Sequence, residues 1–426
     1  MATNTAIRMA TRHRVDDGAM KWNLARRSRR NWAMRAALAL GTALLGYLTV
    51  TSSLAAVESK RSPALAHALA PGDGQITAAL AADLFKNDPV GDRASLPSKL
   101  ARQAIAQDAT AVPAVVVLGT QALLRGERLE GRRLFYFAQS LSRRDFQTQL
   151  WFIEDAVTRG DIPSAIKHYD IALRTSRSAS TILYPILAAA LAERSVRSNL
   201  ILTLAKNPIW EPSFIAFAIA SDTDPRIVAD LLAEMRSAKL AVSPEASASI
   251  INRLLLVGKA DDAWRYYSSL RSGIRTDRSR DPRFGDSPVS MSRFDWVPTE
   301  NNDIAVMIQR RAGGGLADLS VPGGQGGALL TQAQMLPPGS YLFTTESSGI
   351  DQLEAPLLYW TLTCRDGREL GRVSVPPSGQ RMVRTTGSFR VPPGCPIQAL
   401  TLVAQPSGGF TDLTGQIGRA ELVPAS

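Results

Sequence analysis

GDIPSAIKHYDIAL, Gly160 to Leu173, decides how the rest of the chain is read. It holds His168 and Asp170 two residues apart in a segment with helical periodicity. As a catalytic fragment it would make the protein an enzyme; as one unit of a repeat it would make it a scaffold. Residues two apart on a helix do not face each other, so the pair cannot form an acid–base dyad. Beside Tyr169, both are expected on the exposed flanks of the helix, as a solvated pair.

The repeat is visible when the chain is displaced by 34 residues. Gly126 then falls on Gly160, Gly131 on Ala165, Phe135 on Tyr169 and Ala138 on Ala172. One period earlier Ala138 falls on Ala104, and Gly258, Ala263 and Tyr267 repeat the spacing of Gly160, Ala165 and Tyr169. A recurring unit of this length buries its apolar face only by stacking on its neighbours. These segments resemble the tetratricopeptide repeat. The resemblance implies helix pairs with a small residue near the turn, an Ala early in the second helix and an aromatic four residues later filling the groove. It also implies a concave surface for a protein partner, for which Trp151, Phe152 and Tyr169 are candidates, although burial between repeats is the commoner use of such aromatics. Two units are expected, at 112–145 and 146–179, with a half-unit before them and a weaker one near 246–272. Arg143 and Arg177 stand where the repeat closes with Pro, Phe152-Ile153 replaces Leu-Gly, and residues 180–245 are helical in pattern without the signature.

The front of the chain gives the setting. The net charge is +11, but residues 1–35 carry nine basic and two acidic side chains, leaving 11 − 7 = +4 for the other 391 residues. The body therefore lacks a nucleic-acid footprint, and no nucleic-acid partner is expected. Ala36 to Val57 runs 22 residues without charge, enough at about 1.5 Å per residue to cross a hydrocarbon core of about 30 Å. The basic side is expected in the cytoplasm and the bulk outside, in the periplasm of a single-pass inner-membrane protein. The small residues of SSLAA allow a cleaved signal peptide instead; the length of the basic region favours an anchor. Residues 58–96 are read as a stalk with one short helical pattern around Gln75 to Phe85.

From 272 to 292 the chain mixes Ser, Gly, Pro, Arg and Asp without apolar periodicity, which reads as a linker. About eight short apolar runs follow, from DIAVMIQ at 303–309 to QIGRAELV at 416–423, the pattern of an antiparallel sandwich. In LLYWTLTC, Leu358, Trp360, Leu362 and Cys364 share one face, expected inside. Cys364 and Cys395 enclose 30 residues, and export makes one disulfide the expectation, contributing about 3–4 kcal/mol in the chain-entropy model. QAQMLPPGSYLFTT, with FDW at 294–296 and the late GQIGRAELV, resembles the galactose-binding-like jelly roll of carbohydrate-binding modules. In that fold the last strand lies beside the first. The resemblance implies a glycan site, with Trp296 and Tyr359 as exposed aromatics and Asp295 and Gln334 as polar contacts.

The sequence shows no P-loop, nucleophile elbow or metal-ligand spacing, so neither cofactor nor catalysis is expected. GGGL at 313–316 and GGQGG at 323–327 read as turns. The fold class is multidomain α + β: a tail (1–35), a transmembrane helix (36–57), a stalk (58–96), a tetratricopeptide-like α-helical solenoid (97–271), a linker (272–292) and an antiparallel β-sandwich (293–426). The expected role is a non-catalytic adaptor, its helices on a protein partner and its sandwich on a polysaccharide or another subunit, in envelope or exopolysaccharide assembly. The alternative is a carbohydrate-binding protein or an accessory domain of a glycan-active enzyme.

Overall fold

The computed structural model describes residues 29–286, 289–299, 304–311, 313–351, 357–406 and 412–425. The basic stretch 1–28, with His13, lies outside them. The chain divides into two compact units, Met1–Leu141 and Ser142–Ser426. That boundary falls inside the expected repeat domain.

In the first unit, α1 (Arg29–Glu58) starts earlier than expected, and from Trp32 it is long and apolar enough to cross a membrane. Then come α2 (Pro63–Leu69), α3 (Gly74–Asn87), α4 (Leu96–Gln107), α5 (Val112–Leu124) and α6 (Arg128–Leu141). The expected stalk is thus largely helix. Asp73 caps α3 by accepting from the Gln75 and Ile76 amides, and Ala78, Leu80 and Ala81 are buried with Leu100, Ala104 and Val117. Alanine gives a weak apolar pattern yet lets helices approach closely, so composition concealed this contact.

The second unit opens with α7 (Phe146–Thr158), α8 (Ile162–Thr175), α9 (Ala179–Ala190), α10 (Arg194–Leu204), α11 (Glu211–Ala220), α12 (Pro225–Ser237), α13 (Pro244–Leu256) and α14 (Ala260–Leu270). Within it α8, α10, α12 and α14 touch in succession, and so do α9, α11 and α13. Helices α5, α7, α9, α11 and α13 start at 112, 146, 179, 211 and 244, which are 34, 33, 32 and 33 residues apart. A spacing near 33 therefore runs through 180–245, and a period shorter than 34 slides out of register with a fixed displacement of 34. Gly126, Gly160 and Gly258 have φ of +81°, +70° and +81°, the left-handed turn that ends the first helix of a pair. Ala104, Gly131, Phe135, Ala138, Ala165, Tyr169, Ala172, Ala263 and Tyr267 are all buried. His168 is not on the surface as expected. It is buried, its Nδ1 lies 2.8 Å from Gln149 Oε1, and its ring stacks on Phe152 at 4.7 Å. Asp170 pairs with Arg174 at 2.7 Å and accepts from Trp210 Nε1 at 2.9 Å.

Ten strands follow: β1 (Val297–Pro298), β2 (Ala305–Arg311), β3 (Gly314–Val321), β4 (Gly327–Gln334), β5 (Gly339–Ser348), β6 (Leu358–Cys364), β7 (Glu369–Ser374), β8 (Val383–Val391), β9 (Gln398–Ala404) and β10 (Leu413–Pro424). They form two five-stranded antiparallel sheets, β1-β4-β9-β6-β7 and β2-β3-β10-β5-β8. Strand β10 lies between β3 and β5, not beside the first strand. Strand β3 was hidden in GGGL: Gly314 and Gly315 pair with Arg311 and Arg310, and a Cβ on Gly315 would come within 2.4 Å of the Phe284 carbonyl oxygen. Those glycines serve a close approach, whereas Gly324 in GGQGG does sit in a turn at positive φ, and Gly327 opens β4. Leu358, Trp360, Leu362 and Cys364 point inward, and Cys364 is bonded to Cys395. Phe284, Trp296, Trp360, Phe343 and Phe389 form a chain of rings with centroids 5.3–5.7 Å apart.

Residues 272–292 are not a free linker. Ser279 N–H donates to Leu422 O at 3.0 Å, and Leu422 N–H donates to Ser279 Oγ at 2.8 Å. Phe284 enters the sandwich core from a backbone φ of +54°, a conformation that a bulky residue keeps only when its surroundings hold it. Arg280 is buried: its Nε donates to Phe294 O at 3.0 Å and its Nη2 to Ala333 O. Its Nη1 has no hydrogen-bond partner, but the guanidinium lies 5.2–6.0 Å from the ring centres of Trp264, Tyr267 and Phe294. Desolvation lowers its pKa only to about 10, so it is charged at neutral pH. The ends of the helical stack and of the sandwich thus share one core, in which Phe294 and Ala333 join Ala263, Tyr266 and Tyr267.

Arg280→Ala leaves two buried carbonyls unpaired and a void beneath three rings, and should destabilise the protein by about 2–4 kcal/mol in denaturant titration; a loss under about 0.5 kcal/mol, the usual range for a surface change, would contradict the packing described. Burial, and next the Lys167 charge, push the His168 pKa from 6.5 down to about 4. A folded pKa below the unfolded one means stability present above pH 6.5 and lost as pH falls through about 4. His168→Gln should flatten the fall of the unfolding midpoint across that window; an unchanged slope would contradict the assignment.

Candidate functional site

Of the four residues expected to meet a glycan, three are buried. Trp296 donates from Nε1 to Asp281 O at 2.9 Å in the sandwich core. Asp295 accepts from Tyr267 OH at 2.9 Å and from Ser292 N and Oγ at 2.9 and 2.8 Å, and pairs with Arg271 at 2.7 Å. Gln334 belongs to an inner glutamine ladder, donating to Gln332 Oε1 at 2.7 Å. Trp296 and Gln334 thus lie inside the sandwich, and Asp295 is covered by Tyr267 of α14.

Tyr359 alone reaches an open face. It lies on the outer side of β4, β9, β6 and β7, where strand alternation aims every second side chain outward. Register sets Thr331, Thr401, Thr361 and Arg372 opposite one another across the four strands. On either side run Ala333, Ala399 and Thr363, and Val403, Tyr359 and Ser374, in rows about 7 Å apart. Thr331 Oγ1 donates to Thr401 Oγ1 at 3.3 Å and Thr361 Oγ1 to Gly371 O at 3.2 Å. The Arg372 guanidinium sits 4.7 Å from the Tyr359 ring centre and pairs with Glu369 at 2.5 Å, which holds the Glu369 carboxyl below its ordinary value.

This face leads into a cavity of about 500 Å³. Its floor is Thr331, Ala333, Thr363 and Ala399, and Leu255 and Leu256 at the end of α13 line another side. Arg365 donates to Leu255 O at 3.0 Å and Leu256 O at 2.7 Å, tying the sheet to the helix end. Arg293 completes the rim. The threonines contribute both methyls and hydroxyls, so the floor can meet C–H faces and hydroxyls in alternation. The sequence carried this signal in the outward phase of three strands, at Thr331, Thr361, Thr363 and Thr401, but not which part of the face the helices leave open.

A second cavity, of about 680 Å³, lies in the helical stack. Ile215, Ile219, Leu232, Met235 and Val242 line it, with Glu211 among them, whose pKa burial raises. Among the described residues, no group of three or more His, Cys, Asp or Glu is placed to hold a metal ion.

No family model matches the chain, and no curated protein matches it. Among solved structures, the sandwich is similar to the CBM22-1 xylan-binding domain of Paenibacillus barcinonensis Xyn10C, at 13% identity over 36% of this chain and 100% of that one, with a TM-score of 0.26. The helical region is similar to pilF of Pseudomonas aeruginosa, at 15% identity over 54% of this chain and 94% of that one, with a TM-score of 0.26. The tailspike protein 4 of bacteriophage CBA120 matches at 12% identity over 34% of this chain, with a TM-score of 0.25, and the chain spans only 20% of its length.

Proposed function

We propose that this protein is a non-catalytic, membrane-anchored adaptor of the bacterial envelope, in which the outer face of β4-β9-β6-β7 holds a glycan chain and the helical solenoid holds a protein partner. The observation that carries the glycan assignment is the continuous floor of threonines leading from Tyr359 to the cavity. Sugars present C–H patches and hydroxyls at spacings such a floor can match, and an aromatic ring offers its face to the C–H side. The apolar cavity beside Glu211 supports a peptide-binding role for the helices. Helix α1, with the basic residues before it, supports an inner-membrane anchor with the bulk in the periplasm. The disulfide supports an oxidising compartment. Envelope or exopolysaccharide assembly is the setting in which such a chain would work.

The test uses the full chain in detergent, measured by affinity electrophoresis against neutral and acidic soluble polysaccharides. At least one should retard it, and Tyr359→Ala should weaken that binding about tenfold while leaving the melting temperature near the parent value. Mobility unaffected by every polysaccharide, or retardation indifferent to Tyr359→Ala, would overturn the assignment.

A further inference from the structure

We infer that the ligand of this face is an acidic glycan, one carrying carboxylates as a uronic acid does, with one carboxylate held at the cavity by Arg293. The inference rests on the glycan reading above and adds the chemical class. Among the described residues, the cavity lining holds two guanidinium groups, Arg293 and Arg365, and no carboxylate. At the far end of the face Glu369 neutralises Arg372, so the charge imbalance belongs to the cavity.

Arg293 is held for such a role. Its backbone N–H donates to Asn252 Oδ1 at 2.8 Å, and its carbonyl accepts from Ala333 N–H at 2.7 Å. Ser292 and Phe294 on either side are buried, so the main chain is fixed at three successive positions. Its side chain is exposed, and among the described residues it forms no ion pair. Arg365 is anchored on two neutral carbonyls, which fix its place without cancelling its charge. A guanidinium with a free edge suits a planar carboxylate, and the bond is charge-assisted. An acidic peptide would meet the same charges. The floor argues against it: β9 and β6 are paired on both sides, so no main-chain groups are left to bind an extended peptide backbone.

The experiment measures binding of the full chain in detergent to polygalacturonate oligomers, to neutral cello-oligosaccharides of equal length and to polyglutamate, at low and high salt. Polygalacturonate should bind about tenfold more tightly than the neutral chain and lose that margin in high salt. Arg293→Ala should remove most of the margin, and Arg293→Lys should keep part of it. Tyr359→Ala should weaken both sugars. If the neutral chain binds as well as the acidic one and Arg293→Ala changes neither, the acidic assignment fails while the glycan reading stands. If polyglutamate matches polygalacturonate and Tyr359→Ala has no effect, the ligand is an acidic peptide and both readings fail. If none of the probes binds, the glycan reading itself fails.

Discussion

Arg280 carries a permanent charge to a position with almost no access to water. Burying an ion costs several kcal/mol unless its surroundings replace its hydration. Here the replacement comes from three places in the chain: ring faces from α14, the Phe294 carbonyl just before β1, and the Ala333 carbonyl in β4. Asp295 adds a favourable charge nearby, and Asp295 is itself fixed by Tyr267 and Arg271. One side chain therefore requires the end of the helical stack and the edge of the sandwich to be present together.

The open face inherits its shape from that constraint. The chain between α14 and β1 runs back across the sandwich, pairing through Ser279 with β10 and filling the core with Phe284. Strand β4 then lies against the helices at Ala333, and α13 ends over β6, where Arg365 takes its last carbonyls. The cavity is the space left where a helical end meets a flat sheet. Its floor is outward-facing threonine, so what it can hold is decided by strand register and by how far the helices reach.

The sequence made some of this legible. Alternation in LLYWTLTC assigned the inner and outer residues of β6, and the displacement of 34 located the buried alanines and aromatics of the clearest helix pairs. The misses have physical causes. His168 looked solvated because its partner Gln149 and its stacking neighbour Phe152 are more than a dozen residues away. Trp296, Asp295 and Gln334 were expected as exposed glycan contacts because a local sequence pattern cannot show which side of a strand or turn the core and the helices cover. The stretch 272–292 looked like a linker because Arg280 and Phe284 are isolated anchors among Ser, Asp and Arg, and isolated anchors have no period. Gly314 and Gly315 suggested a turn, when they allow one backbone to lie directly on another.

The helices and sandwich of the second unit are joined by a structured strap, so the candidate face and the cavity under α13 keep a fixed relation. Hydrogen–deuterium exchange on the full chain tests it most directly. The amides of Ser279 and Leu422, which bond across the strap, should exchange as slowly as the central strands β9 and β10 and open only with the unit as a whole. Exchange of residues 274–286 on the fast timescale of an unprotected chain, with the helices and sandwich each remaining protected, would contradict it.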